Sequence, residues 1–351
     1  MQNRAHFGGS SLPNKSKPNW SIGIDLGGTK IAGGLVDTKG QVHHEIIKPT
    51  NPFGGALPSD RLKSERGPSA RAHIKYVVNA ISDIIEELMI SVPGKTVREK
   101  RQHISGIGLA SAGPMNVLEG TLIYPANFSG WKVVPLVPLI ETNLKERGFS
   151  IRVNFQNDAM AAALGEGWIG HCKEKHTYAM ITIGTGIGSG VVLNGKPAQS
   201  GGMGSEWGHQ LVDVRGISPN EDMYSREVEG LASGTGLLLR AKARGFKGQS
   251  VAELAKASID GNKLARELFT DAGDALTAIF YNLSLGLHLQ MIVVTGGLLA
   301  IHELFLPRAI ENYRILMKRK NPAFLAPVKI SRFGNQIGLV GAARLPWLAQ
   351  P

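Results

Sequence analysis

The sequence contains a single cysteine, Cys172, among its 351 residues. One cysteine can form neither an internal disulfide nor a multi-cysteine metal site, and this scarcity is typical of a reducing compartment such as the cytoplasm. The chain also lacks any run of about 18 apolar residues, the length of a membrane-spanning helix. Residues 1–19 lack the apolar stretch of a signal peptide, so we expect a disordered tail and a cytoplasmic protein without a membrane partner.

Aromatic residues are also scarce, at 6% of the chain, and the basic residues behind the net charge of +11 are scattered. A nucleic-acid-binding face usually has clustered basic residues with aromatic residues between them. The sequence therefore predicts no nucleic-acid partner. The positive charge favours solubility and the attraction of small anions such as nucleotides.

The length of the chain predicts two domains, because one hydrophobic core usually stops growing at roughly 250–300 residues. Strand patterns alternate with helical patterns in both halves, which predicts an α/β fold. We expect an N-terminal domain over residues 20–150 and a larger C-terminal domain over 151–337, with a last helix at 338–351 that returns to the first domain. Residues 49–70 are rich in proline, glycine, serine and charge, and are predicted to form an exposed loop.

Two glycine-rich turns each follow a short strand: DLGGTK, residues 25–30, and GTGIGSG, residues 184–190. We call them the first and second hairpins. Glycines leave backbone N–H groups accessible to an anion such as a phosphate, although an ordinary solvated turn has the same pattern. The second hairpin is not a dinucleotide fingerprint, because Val191 and Val192 continue as a strand where a helix should start. Superposing the hairpins pairs Asp25 with Thr182 and Gly27 with Gly184, which suggests an internal duplication.

Polar side chains at three further places are candidates for chemistry. Asn157 and Asp158 lie between a predicted strand and a predicted helix, where a carboxylate can accept a proton from an attacking hydroxyl. Asn and Asp are equally suited to cap that helix. Glu206, His209 and Glu229 could together bind the hydroxyls of a polyol, or each could be a solvated surface group.

Seven motifs, taken in order, resemble the ROK family of bacterial sugar kinases and repressors. The resemblance covers about Ile22 to Ala343 and is carried by DLGGTK, GPMNVLEGTLIYPANFSGW, NDAMAAALGE, ITIGTGIGSG, EWGHQ, EGLASGTG and VVTGG. It implies a two-domain actin-like, hexokinase-like (ribonuclease H-like) fold with ATP and a hexose in the cleft between the domains.

The resemblance also implies a role for each matching residue. Asp158 would be the catalytic base, and Asp25 would position Mg²⁺ through water. The sugar would contact Gly113, Asn127, Asn157, Asp158, Glu206, His209 and Glu229. The phosphates of ATP would contact Gly27, Gly28, Thr29, Lys30, Gly184, Thr185 and Gly186, and Gly296 and Gly297 would lie near the nucleoside.

The sequence departs from this family in one place. Many members follow the histidine of the GH motif with three cysteines that bind a structural zinc, whereas the segment after His209, QLVDVRGISPNEDMYSRE, has none. A cysteine zinc site is therefore excluded. We expect His209 to be held by hydrogen bonds instead.

The expected activity is transfer of a phosphoryl group from ATP to the 6-hydroxyl of a hexose. Glucose is favoured because ANFSGW, residues 126–131, resembles the sugar loop of the family's glucokinases. We call residues 126–131 of this chain the sugar loop. Mannose, fructose or an N-acetylhexosamine are alternative substrates, and a homodimer is compatible with the resemblance.

A sugar-responsive repressor or a pseudokinase is the alternative from another class. About 20 irregular residues precede the first predicted strand, too few for a DNA-binding winged helix. Asp158 and both hairpins argue against a pseudokinase.

Overall fold

The computed structural model describes residues 18–51, 70–214, 223–334 and 336–349. The predicted N-terminal tail and most of the predicted loop at 49–70 lie outside these residues. The placement of the domain boundaries stays a prediction.

Thirteen strands are present in the described residues. They are β1 (Trp20–Leu26), β2 (Lys30–Asp37), β3 (Val42–Pro49), β4 (Ile104–Ser111), β5 (Met115–Asn116), β6 (Thr121–Ile123), β7 (Val133–Val134), β8 (Val153–Asn157), β9 (Tyr178–Ile183), β10 (Ile187–Leu193), β11 (Lys196–Pro197), β12 (Met291–Thr295) and β13 (Val328–Ile330).

Ten α-helices and four short 3-10 helices complete the described structure. The α-helices are α1 (Ala70–Ile90), α2 (Val97–Gln102), α3 (Leu136–Glu146), α4 (Asp158–Ile169), α5 (Val228–Ala232), α6 (Gly234–Ala243), α7 (Val251–Ile259), α8 (Lys263–Leu287), α9 (Leu306–Lys320) and α10 (Gln336–Leu348). The 3-10 helices are Trp207–His209, Tyr224–Arg226, Gly297–Leu304 and Pro322–Phe324.

Two five-stranded sheets share one topology. Their strand orders are β3-β2-β1-β4-β8 and β11-β10-β9-β12-β13. In each sheet three antiparallel strands are followed by two strands that run parallel to the third. This agrees with the internal duplication suggested by the two hairpins. A third sheet, β5-β6-β7, carries the sugar loop between β6 and β7.

Each sheet covers its own hydrophobic core. Helix α1 presents Val77, Ile81, Ile84 and Leu88 to the first sheet, and all four are buried, as their three- and four-residue spacing predicts. The β-branched strand β12 lies inside the second sheet against a core to which the long helix α8 contributes. The two cores are therefore built from different parts of the chain.

Helices α4 and α10 connect the two sheets. Helix α10 packs against β1, β2 and β4 of the first sheet, α4 packs against β9 and β10 of the second, and the helices contact each other. The contact is at backbone distance: a Cβ at Gly341 of α10 would lie 1.7 Å from the backbone oxygen of Ala161 in α4. Glycine is required here because any side chain would push the helices apart.

No helix within the described ranges is both long enough and apolar enough to cross a bilayer.

The contact between α4 and α10 predicts a strong effect of one added methyl group. We expect Gly341→Ala to lower the free energy of unfolding by about 2 kcal/mol or more, because the new Cβ overlaps the Ala161 carbonyl. Gly286→Ala in α8 is the matched control: no heavy atom lies within 4 Å of its Cβ position. Alanine is the better helix former, so this control should be neutral or stabilising by up to about 1 kcal/mol. Urea unfolding of both variants measures the difference, and equal stabilities would contradict the packing described.

Candidate active site

Three parallel strands of the first sheet end at one edge and bring polar residues together. In the strand register Leu26 lies opposite Ser111, and Ser111 lies opposite Asn157. Asp25 is therefore two strands away from Asn157, with β4 between them. The carboxyl ends of parallel strands are where α/β folds usually bind their ligands.

Asn157 and Asp158 make different contacts at the start of α4. Asn157 is the N-cap of α4: its Oδ1 accepts hydrogen bonds from the backbone N–H groups of Ala159 (3.0 Å) and Met160 (3.2 Å). Asp158 is the first residue of the helix, and its Oδ1 also accepts from Ala159 N–H, at 2.7 Å. Burial raises the pKa of Asp158, and the backbone hydrogen bonds oppose part of that rise. One residue caps the helix and its neighbour supplies a carboxyl group of raised basicity.

Gly113 lies beside this helix start. A Cβ at Gly113 would lie 3.8 Å from the Asn157 side-chain nitrogen. The loop after β4 therefore passes close to the amide of Asn157.

Asp25 and Asp158 form a pair of interacting carboxyl groups. Burial and, after it, the negative charge of Asp158 together raise the pKa of Asp25 to about 6, against the opposing effect of the positive charge of Lys30. Two carboxylates that disfavour each other's charge are a suitable environment for a divalent cation. No group of three or more His, Cys, Asp or Glu side chains in the described part of the chain is arranged to hold a metal ion. A Mg²⁺ ion here would take its remaining ligands from water and phosphate oxygens.

The first hairpin forms a tight turn beside the sugar loop. The N–H of Gly27 donates to the backbone oxygen of Lys30 at 3.0 Å, and Thr29 and Lys30 are exposed. A Cβ at Gly28 would lie 3.4 Å from Cβ of Asn127 in the sugar loop. The structure thus brings Asn127 to the first hairpin.

The second hairpin is held by backbone hydrogen bonds to the start of α6. The N–H of Gly184 donates to Gly186 O at 2.9 Å, which closes the turn. The N–H groups of Gly234 and Thr235 donate to the backbone oxygens of Gly184 (2.8 Å) and Thr185 (3.1 Å). The hairpin and the N-terminus of α6 are therefore joined through their backbones.

Glu229 supports this second hairpin with one of its oxygens. Its Oε2 accepts a hydrogen bond from Ile187 N–H at 2.7 Å, and the same oxygen would lie 2.6 Å from a Cβ at Gly186. The sequence left Glu229 as either a sugar ligand or a solvated surface group, and this bond to the hairpin was not foreseen. Its charge still raises the pKa of both Glu206 and His209, so it lies within electrostatic range of them.

Glu206 and His209 lie on the loop around the 3-10 helix Trp207–His209 and are exposed. Loss of hydration around the carboxyl group of Glu206 raises its pKa, His209 opposes this, and the charges of Asp158 and Glu229 add to it. Asp158, Glu206, His209 and Glu229 therefore form one electrostatic cluster. This brings together residues from α4, α5 and the loop at Trp207–His209.

Glu227 holds His209, and the sequence reasoning did not single it out. Its Oε2 lies 2.8 Å from His209 Nδ1, and this hydrogen bond raises the pKa of His209. Backbone hydrogen bonds between Val228 N–H and Gln210 O, and between Val212 N–H and Arg226 O, join the two segments. The expected hydrogen-bonded support for His209 is thus present. The absence of cysteines between His209 and Glu227 was the one sequence signal that such a partner was needed.

Gly296 and Gly297 follow β12 at the same edge as the second hairpin. Thr295 of β12 lies opposite Thr182 of β9 in the register. Gly296 has φ 109°, and a Cβ there would lie 2.3 Å from the backbone oxygen of Ile183, so only glycine fits. Gly297 is exposed at the start of the following 3-10 helix.

Comparison with known proteins identifies relatives over nearly the whole chain. A sequence profile of the ROK family matches residues 63–348. A glucokinase of Halalkalibacterium halodurans is 28% identical over 94% of this chain and 95% of its own length. An N-acetylmannosamine kinase of Salmonella arizonae is 26% identical over 93% of this chain and 97% of its own.

A solved structure has the same fold. The crystal structure of a ROK hexokinase from Thermus thermophilus superposes with a TM-score of 0.74, covering 94% of this chain and 98% of that one at 26% identity. This likeness confirms the predicted α/β class and the actin-like, hexokinase-like fold.

The pair of His209 and Glu227 predicts a pH-dependent contribution to stability. The pKa of His209 is raised above its ordinary value of 6.5, so the pair stabilises the folded state fully below that value and loses its contribution as pH rises through the raised pKa. In Glu227→Gln the pKa of His209 should fall, because the negative partner is gone. Titration of the His209 Cε1–H resonance by NMR measures this shift.

Glu303→Gln is the control, since Glu303 pairs with His302 elsewhere on the surface. It should leave the titration of His209 as it is in the original protein. An unchanged His209 titration in Glu227→Gln would contradict the assigned contact.

Proposed function

The chain belongs to the ROK family, and we propose that it is a sugar kinase that transfers the γ-phosphoryl group of ATP to the 6-hydroxyl of a hexose, with glucose as the preferred substrate. The observation that carries the proposal is the half-buried carboxyl group of Asp158 at the start of α4, whose charge acts on Asp25 on one side and on Glu206 on the other. The turns of both hairpins in the proposed ATP site follow the carboxyl ends of β1 and β9, which are equivalent positions in the two sheets.

Asp158 is the proposed catalytic base. In phosphoryl transfer the protein mainly positions the groups, and a carboxylate accepts the proton of the attacking hydroxyl. A raised pKa suits this role, because the proton affinity of the base comes closer to the working pH. The cap supplied by Asn157 fixes the helix start, and thus the position of the Asp158 backbone.

The sugar ligands are proposed from the residues around Asp158. Hydroxyl groups buried on binding each need a partner, and the surrounding amide, carboxylate and imidazole groups can supply them. The proposed set is Gly113, Asn127, Asn157, Asp158, Glu206, His209 and Glu229. Glu229 has one oxygen engaged by Ile187 N–H, so only its other oxygen is available to a sugar by this proposal.

The nucleotide ligands are proposed from the two hairpins and from β12. Gly27, Gly28, Thr29 and Lys30 would contact the phosphates from one side and Gly184, Thr185 and Gly186 from the other, with Gly296 and Gly297 near the nucleoside. Asp25 would hold Mg²⁺ through water. When bound, this ion neutralises charge on the phosphates.

The choice of sugar is proposed from the relatives. Relatives named glucokinase and N-acetylmannosamine kinase match nearly the full chain at similar identity. Glucose is preferred because the sugar loop resembles that of the glucokinases, and an N-acetylhexosamine is the second candidate. We further propose the cytoplasm as the compartment, in keeping with the single cysteine.

Replacing the proposed base tests the chemistry. Asp158→Asn should lower kcat at least about 100-fold, since it removes the proton acceptor, while sugar binding measured by calorimetry is retained. Asp260→Asn, an exposed acid paired with Lys256, is the control and should keep full activity. An unchanged kcat in Asp158→Asn would falsify the base assignment.

A panel of sugars tests the proposed substrate. We expect kcat/KM for glucose to exceed that for N-acetylmannosamine by about tenfold or more, because an added acetamido group needs both space and hydrogen-bond partners. The measurement is ADP release with Mg-ATP and each sugar. 6-Deoxyglucose is the control: it lacks the acceptor hydroxyl and should inhibit without being phosphorylated. A higher kcat/KM for the N-acetylated sugar would favour the second candidate.

A further inference from the structure

A chain of hydrogen bonds joins the sugar loop to the first hairpin. Trp131, the last residue of the sugar loop, donates its Nε1–H to Nδ1 of His73 at 3.2 Å. The other ring nitrogen of His73, Nε2, lies 3.0 Å from the backbone oxygen of Thr50. The hydroxyl of Thr50 in turn donates to the backbone oxygen of Gly27 at 2.7 Å. The sugar loop is thus connected to the hairpin through two intermediate residues.

The partners of His73 determine where its proton lies. A carbonyl oxygen can only accept, so Nε2 must carry the hydrogen that bonds to Thr50. An indole N–H can only donate, so Nδ1 must be the unprotonated nitrogen that accepts from Trp131. One donor and one acceptor on the same ring are required, and neutral histidine provides both.

The three side chains that form this series of hydrogen bonds are shielded from water, so a lost bond cannot be replaced by a bond to solvent. The exposed fractions of Thr50, His73 and Trp131 are 0%, 2% and 4%. Trp131 also stacks on Phe128 of the sugar loop, with ring centroids 4.7 Å apart. Hydrogen bonds between buried groups are strong, and a broken one leaves an unpaired polar group. The loop and the hairpin therefore cannot change position independently without loss of these bonds.

Thr50 holds the first hairpin at two points. Besides the bond from its hydroxyl to Gly27, its backbone N–H donates to the oxygen of Thr29 at 3.0 Å. The two accepting carbonyls lie on either side of Gly28, where an added Cβ would lie 3.4 Å from Cβ of Asn127 in the sugar loop. Thr50 thus fixes the part of the hairpin that would face a phosphate in the proposed function.

We propose that His73 is a positioning residue that couples the two substrate sites, so that sugar binding tightens nucleotide binding. This inference rests on the proposed function, in which the sugar loop contacts the sugar and the first hairpin contacts phosphates. A sugar that orders the loop also orders Trp131, His73 and Thr50, and with them the hairpin. A nucleotide that arrives next then loses less conformational freedom in the hairpin. By thermodynamic linkage, the nucleotide tightens sugar binding by the same factor.

The first test compares nucleotide affinity with and without glucose. Calorimetry with a non-hydrolysable ATP analogue should show that saturating glucose lowers its Kd by about fivefold or more in the original protein. Thr50→Val is nearly isosteric and removes only the bond to Gly27, and Trp131→Phe removes the indole donor. In both variants the ratio of the two Kd values should fall towards unity.

Two further substitutions separate the hydrogen bonds from the shape of the ring. His73→Phe keeps an aromatic ring and loses both bonds, so the coupling should be lost. His73→Gln has a donor and an acceptor in one side chain, so it should restore part of the coupling. Thr277→Val is the control: Thr277 is a buried threonine of α8 whose hydroxyl donates to Gly273 O, and its loss should leave the Kd ratio unchanged.

A second measurement needs no ligand and separates this inference from the proposed function. Hydrogen exchange of residues 25–30 should be faster in Trp131→Phe than in the original protein, whereas Thr277→Val should not change it. If the original protein binds neither glucose nor nucleotide, the proposed function fails while the exchange result still decides whether loop and hairpin are connected. The inference is overturned if Trp131→Phe and Thr50→Val keep the original Kd ratio, or if exchange at the hairpin is unchanged in Trp131→Phe.

Discussion

The backbone contact between α4 and α10 determines how the two sheets face each other. Helix α10 lies on the first sheet and α4 on the second, and Gly341 lets the two helices approach until a methyl group no longer fits between them. Ala110, Ala161 and Ala342, one from β4 and one from each helix, form a buried cluster at the same place. Because α4 begins with Asp158, this contact also sets the position of the proposed base relative to Asp25 on the first sheet and to the second hairpin. The small residues at the contact between α4 and α10 therefore determine both the packing of the two sheets and the position of the proposed base.

The electrostatics of the site follow from that arrangement. The charge of Asp158 raises the pKa of Asp25, and the charges of Asp158 and Glu229 raise that of Glu206. Lys30 opposes the rise at Asp25, and His209 opposes the rise at Glu206. A cluster of acids is unfavourable by itself, because each carboxylate raises the pKa of its neighbours. A bound cation and sugar hydroxyls would relieve that cost, which is a physical reason for a substrate site to have this composition. The net charge of +11 on the chain as a whole favours the approach of an anionic nucleotide to this acidic centre.

Much of the fold and part of the site were predictable from the sequence. The apolar stripe of α1 and both hairpins follow from local patterns of apolar residues and glycine, which depend only on neighbours in the chain. The position of Asn157 and Asp158 between a strand and a helix was also local, although the pattern could not divide their two roles. The bond of Glu227 to His209 and the bond of Glu229 to the second hairpin join segments that are distant in sequence. The hydrogen bonds through His73 do the same. No periodicity or spacing records such contacts, because they arise only when the segments pack together.

The central claim is that this chain transfers a phosphoryl group to the 6-hydroxyl of a hexose. The most direct test is ³¹P NMR of a mixture of the purified protein, Mg-ATP and glucose. We expect the γ-phosphate signal of ATP to decline while a phosphomonoester signal grows, split by the two protons on carbon 6 of the sugar. An intact ATP signal after long incubation with glucose and with the other hexoses, or a phosphate coupled to a different carbon, would contradict it.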